Sequence, residues 1–201
     1  GRQYIPSWGA VEALDRSTWA DGAFRDNQGE RLADARAMID AYDGEIRYLD
    51  DHLAVIFEAL ETAGVWDDTC VILTADHGET MADHLTHFAH VEALDACTHI
   101  PLIIKPPKGV PVADRVRGDL ATHTDLAATI LDLFGIEPQT EMHGRSLLPL
   151  IRGEADGHRD HVVSSGMYLL DRDDLWQSME VSVRTERWRL RRRAPLGSGY
   201  P

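Results

Sequence analysis

Lysine is almost absent from this sequence. Lys105 and Lys108 are the only two, against a Lys+Arg total of 20 and an Asp+Glu total of 34. The resulting formal charge of −14 repels a phosphate backbone at long range, so nucleic acid is not expected as a partner. No stretch approaches the roughly 18 to 20 consecutive apolar residues of a membrane-spanning helix, so no membrane span is expected either. Cysteine is also scarce: Cys70 and Cys97 are too few for a disulfide framework and too far apart for a short metal knuckle, and both read as packed thiols. The chain has neither an initiating methionine nor a basic-then-apolar leader. Its opening GRQYIPSW reads as a loop from the middle of a protein, so the chain is expected to be part of a longer one. It shows no internal repeat and no low-complexity segment.

What remains is 201 residues, 43% of them apolar, enough for a folded domain with a core. Residues 31–63 set Leu32, Ala35, Ile39, Tyr42, Ile46, Leu49, Leu53, Ile56 and Leu60 at steps of three and four. This spacing predicts one amphipathic helix, weakened at Gly44 and stopped by Gly64. After a turn at 67–69, Cys70-Val71-Ile72-Leu73-Thr74 is an unbroken β-prone run that reads as a strand buried on both faces. A second run, Ile100 to Ile104, gives out before Pro106 and Pro107, where proline removes a strand's donor. Helical spacing returns at 123–134, and 140–153 reads as a turn and a short helix. Helix, strand, long loop, strand, helix predicts an α/β sheet over residues 1–153.

From residue 154 to 201 the texture changes. Short alternating runs at 161–164, 180–184 and 188–190 predict the start of a small antiparallel subdomain. Six arginines fall between Arg184 and Arg193. They are open to reading as an anion patch, but alternation favours Arg187, Arg189 and Arg191 as the solvated face of a strand whose other face carries Trp188 and Leu190.

The chemistry concentrates just past the first strand. In open α/β sheets ligands gather outside the carboxyl ends of strands, which is where Asp76-His77 stands. A carboxylate and an imidazole held there can offer an oxygen and a nitrogen to one divalent cation, with Gly78 allowing close approach. The bland alternative is that Asp76 caps a turn and His77 packs on it. His84, His87 and His90 recur every three residues and, on a helical turn, would gather about one zinc ion; three-spaced histidines also occur on exposed loops. Spacing leaves these readings open.

The stretch VILTADHGETMADHLTHFAH followed by THIPLIIKPP resembles the later part of the sulfatase family, within the alkaline-phosphatase-like superfamily. The family pattern continues in order through Thr124-Asp125-Leu126-Ala127-Ala128-Thr129-Ile130-Leu131 and Gly144-Arg145-Ser146-Leu147-Leu148-Pro149-Leu150. The resemblance covers about residues 31 to 190. It implies the sulfatase-type mixed sheet, with Asp76 and His77 as two ligands of a single divalent cation, calcium first, with magnesium or manganese as alternatives. Many members place a sulfate-binding lysine about a dozen residues beyond that pair. This sequence has Phe88-Ala89-His90 instead, which makes His90 the candidate for the group that touches the sulfuryl or leaving oxygen, with His87 as its rival and His84 shaping the loop. His123 is similar to a helix-entry histidine of no assigned chemistry. The implied substrate is a small-molecule or carbohydrate sulfate ester.

The departures concern the nucleophile. The family's nucleophile, a formylglycine made from Cys or Ser in a C/S-x-P/A-x-R motif, has no counterpart here: Cys97 begins Cys-Thr-His-Ile-Pro and Cys70 begins Cys-Val-Ile-Leu-Thr. The resemblance therefore implies a partner segment, the N-terminal half of a parent protein, and an isolated chain without turnover. A phosphodiesterase, phosphonate monoester hydrolase or phosphotransferase of the same superfamily is the first alternative. A non-catalytic metal-binding fragment with a histidine-rich loop is the second.

Overall fold

The computed structural model of the chain describes residues 28–81, 90, 93–168 and 178–195. His84 and His87 lie outside the described residues. The described residues divide into two units. One holds the first helix and its following turn, with Glu79–Met81; the other holds Cys70–Gly78 and everything from His90 onward.

In the first unit, α1 (Gln28–Thr62) runs unbroken through Gly44. It stops where the apolar spacing ends, and Gly64 takes the left-handed backbone (φ 70°) that closes helices at little cost to glycine. The following turn is held by Asp68 N–H to the Val65 carbonyl (3.1 Å) and by the Thr69 hydroxyl to the same oxygen (2.7 Å). Trp66 then meets Phe57 with ring centroids 5.3 Å apart. Among the described residues, Ile46, Leu49 and Ile56 on the helix's apolar stripe are exposed.

In the second unit, β1 (Val71–Thr74) and β2 (Leu102–Lys105) form an antiparallel pair, with Val71 opposite Lys105 and Thr74 opposite Leu102. The expectation that these runs are buried on both faces fails. Residues 71–73 are half-buried, and Leu102 and Ile103 are exposed. An unbroken apolar run specifies a strand that has cover on two sides, and no third described strand flanks this pair. Between them lies one turn, α2 (Asp95–Thr98), with Cys97 buried.

α3 (His123–Leu133) and the one-turn α4 (Leu148–Ile151) supply the densest packing, with Leu147, Leu148 and Leu150 buried. Their anchor is Asp125, which is fully buried. It completes a capping box with Thr122, accepting the Thr122 N–H at 2.9 Å, and also accepts the Arg145 N–H at 2.8 Å. His158 Nε2 approaches the carboxylate at 3.1 Å, and Arg159 donates to both of its oxygens, Nε at 3.0 Å. Burial alone would push this carboxyl's pKa up. The Arg159 guanidinium, the two backbone N–H groups and His158 outweigh that and hold it far below the usual carboxylate range.

The C-terminal elements are β3 (Val162–Tyr168), β4 (Ser178–Arg184) and β5 (Arg189–Pro195), an antiparallel sheet in that order. The β4–β5 hairpin is tied by Thr185 N–H to the Trp188 carbonyl at 2.7 Å. The expected faces of β5 hold only in part. Arg187 and Arg191 are exposed as expected, but Trp188 and Leu190 are each 71% exposed as well, and the Arg189 side chain is only 13% exposed. Arg189 is enclosed because polar partners meet it: the buried Ser182 on β4 and Asp95 from α2, while Arg191 reaches the buried Glu180. No helix among the described residues is long and apolar enough to cross a membrane.

Candidate functional site

The carboxyl end of β1 is fixed by three independent hydrogen bonds. The Thr74 hydroxyl donates to the Pro101 carbonyl (2.8 Å), tying the last residue of β1 to the entry of β2. His123 Nε2 donates to the Ala75 carbonyl (2.8 Å) from the first residue of α3. The Gly78 N–H donates to the Cys97 carbonyl of α2 (2.8 Å). A side chain at residue 78 would not fit, because its Cβ would lie 2.0 Å from the Ala96 carbonyl oxygen. Glycine is thus required here by close approach rather than by backbone angle.

Asp76 and His77 stand on the loop these bonds hold. Asp76 is exposed, and its Oδ1 accepts the His77 backbone N–H at 2.9 Å. That N–H and the adjacent His77 ring keep its carboxyl below the usual pKa, so it offers anionic oxygen at neutral pH. His77 Nδ1 lies 2.9 Å from the Gly78 carbonyl. A carbonyl only accepts, so Nδ1 carries a proton, and the nitrogen left to ligate a cation from the neutral ring is Nε2. That nitrogen lies 3.6 Å from Asp76 Oδ2. The bond to Gly78 sets the tautomer, as the backbone carbonyl behind a metal-ligating histidine does.

His90 comes back to the same place. Its ring stacks on that of His77, with centroids 4.2 Å apart and planes 18° apart, and a nitrogen of each lies within 4.8 Å of the other. The structure therefore places His77 beside both Asp76 and His90. Of the histidine triplet, His84 and His87 lie outside the described residues, and only His90 is described.

Sequence reasoning missed three parts of this neighbourhood. His123 had no assigned role, yet it anchors the residue before Asp76. The contact of Gly78 with α2 depends on a fold that spacing does not show. Asp125 was quoted only as part of a helix pattern, although Thr122-x-x-Asp125 is a capping-box spacing and could have been read as one.

Comparison with known proteins bears on the fold and the family. The chain superposes on the crystal structure of the phosphonate monoester hydrolase of Agrobacterium radiobacter with a TM-score of 0.70 and 28% identity, covering 81% of this chain and 35% of that one. That similarity defines the class: a partial α/β fold of the alkaline-phosphatase-like type. The family model described as Sulfatase matches residues 13–136, and one described as N-sulphoglucosamine sulphohydrolase, C-terminal, matches residues 86–193. The chain belongs to the sulfatase family. Among curated relatives, it is 33% identical over 70% of its length to the multifunctional alkaline phosphatase superfamily protein PehA of Trinickia caryophylli. It is 31% identical over 59% of its length to the Delta 4,5-hexuronate-2-O-sulfatase of Bacteroides thetaiotaomicron. It spans 27% and 25% of those two proteins.

Proposed function

We propose that this chain is the metal-carrying C-terminal portion of a sulfuric ester hydrolase, in which Asp76 and His77 are two ligands of one divalent cation and His90 contacts the ester. In this reading residues 1–153 belong to the main α/β domain and 154–201 begin the small C-terminal subdomain. The observation that carries it is the pairing at the end of β1, where an ionised oxygen and an imidazole lone pair sit 3.6 Å apart. Calcium is the first choice of cation, with magnesium and manganese as the alternatives. Two protein ligands are few for an ion that takes six to eight, so the remaining ligands belong to other segments or to water.

The cation, when bound, supplies positive charge against the non-bridging oxygens of the ester. The chain's own residues do the rest of what it contributes. Asp76 and His77 keep the donor atoms on a loop pinned at Thr74, Ala75 and Gly78. His90, beside His77, hydrogen-bonds a sulfuryl oxygen or gives a proton to the leaving oxygen. The nucleophile lies elsewhere, because no C/S-x-P/A-x-R motif occurs in these residues. The substrate class is a sulfate ester of a carbohydrate or small molecule, supported by relatives such as the hexuronate sulfatase. A second reading, hydrolysis of phosphonate monoesters or phosphodiesters, is favoured by the likeness to the Agrobacterium enzyme and to PehA.

The test uses the longer protein that contains this chain, assayed on an aryl sulfate and on an aryl phosphonate monoester. The first reading expects the sulfate to be preferred, and His90→Ala to lower kcat by about 10²–10⁴-fold. Preference for the phosphonate selects the second reading. Unchanged turnover in His90→Ala removes His90 from the site.

A further inference from the structure

The enclosure of Arg189 on β5 has a consequence for the loop that carries Asp76 and His77. Its side chain is 13% exposed, its Nε donates to the Ser182 hydroxyl at 2.9 Å, and its Nη1 meets Asp95 Oδ1 at 2.8 Å. Its Nη2 is buried without a hydrogen-bond partner, as is Oε2 of Glu180. A guanidinium so enclosed is costly to bury, and Asp95 is the carboxylate that compensates it. Arg184 stands further off, 3.9 Å from the same Asp95 oxygen.

Asp95 opens α2, and the turn is stiff. The Cys97 and Thr98 N–H groups donate to the Leu94 carbonyl at 3.0 and 2.9 Å, and His99 N–H donates to the Asp95 carbonyl at 2.8 Å. Cys97 is buried, its N–H is held in the turn, and its carbonyl receives the Gly78 N–H. Gly78 in turn provides the carbonyl that sets the tautomer of His77. An unbroken line of short polar contacts thus runs from β5 to the strand-end loop. The contact at Gly78 has no slack, given the 2.0 Å that would separate a Cβ from the Ala96 oxygen.

We propose that Arg189 is a positioning residue for the Asp76–His77 pair, acting through Asp95, the α2 turn and the Cys97–Gly78 hydrogen bond. It touches neither metal nor substrate. This inference rests on the reading of Asp76 and His77 as metal ligands only for its effect on metal affinity; its effect on the loop is independent of that reading.

The test compares Arg189→Gln, Asp95→Asn, their combination and Arg189→Lys in the full chain. Two readouts are taken: the hydrogen-exchange rate of the Gly78 amide without metal, and binding of Mn²⁺ followed by loss of the free-ion EPR signal. Either single variant is expected to speed Gly78 exchange and to weaken Mn²⁺ binding by about tenfold, the lower end for outer-shell partners of metal ligands. The double variant is expected to be no worse than the singles, and Arg189→Lys to recover part of both effects. The amides of Val181 and Val183 serve as controls and stay protected. If Arg189→Gln unfolds the sheet, Asp95→Asn decides, because that half-exposed side chain lies outside it. Unchanged Gly78 exchange in Asp95→Asn overturns the proposal. If Asp76→Ala leaves Mn²⁺ binding intact, the metal reading falls while the exchange data still judge Arg189.

Discussion

Replacing Asp125 by asparagine tests the energetic argument most sharply. The carboxylate is fully buried and receives Thr122 N–H at 2.9 Å, Arg145 N–H at 2.8 Å, His158 at 3.1 Å and two donors of Arg159. Asparagine keeps the shape, removes the charge that neutralises Arg159, and turns one acceptor into a donor facing other donors. Removing one partner of a buried ion pair costs about 3–5 kcal/mol. Against a total stability of about 5–15 kcal/mol, that is enough to leave the variant marginal. Asp125→Ala combined with Arg159→Ala removes both charges and is expected to cost less than the sum of the singles. Urea unfolding of the full chain followed by circular dichroism measures each value. Asp125 also sets a pH dependence. Its folded pKa lies below its unfolded value of about 3.9, so its contribution is complete above that value and is lost as pH falls towards the folded one. In the Asn variant this acid sensitivity should flatten. An Asp125→Asn protein within about 0.5 kcal/mol of the wild type would refute the reasoning, since that is the range of inconsequential surface changes.

Three further outcomes are expected. Gly78→Ala, which sets a Cβ against the Ala96 carbonyl, should displace the loop and weaken Mn²⁺ binding in a titration without unfolding the rest of the second unit; unchanged affinity would contradict the close-approach argument. His123→Phe removes the donor to the Ala75 carbonyl and should cost about 1 kcal/mol in urea unfolding, whereas His123→Gln, which retains an N–H donor, should cost less. The isolated chain should show no turnover of an aryl sulfate; measurable hydrolysis that disappears in Asp76→Ala would place a nucleophile within these residues.

What the sequence disclosed was local. Steps of three and four marked α1, and Gly64 marked its end. A short β-prone run followed at once by Asp76-His77 marked a strand with candidate ligands at its carboxyl end, because period and position are properties of consecutive residues. The parts not legible depend on residues far apart in the chain. Arg159 reaches Asp125 across a gap that no periodicity encodes. Alternation along β5 separates the arginines from Trp188 and Leu190, but a period of two is symmetric between the faces. The enclosure of Arg189 was decided by Ser182 and Asp95, on other elements. Burial of β1 and β2 was overestimated for the same reason: an apolar run states what a strand can tolerate, and the neighbours determine what covers it.

The central claim is that Asp76 and His77 form one half of a divalent-metal site. Titration of the full chain with Mn²⁺, read by the free-ion EPR signal, tests it most directly. The account predicts weak saturable binding that is abolished by Asp76→Ala and by His77→Ala, displaced by Ca²⁺ and retained in His84→Ala. Binding retained in Asp76→Ala but lost in His84→Ala would contradict it and place the ion on the histidine loop.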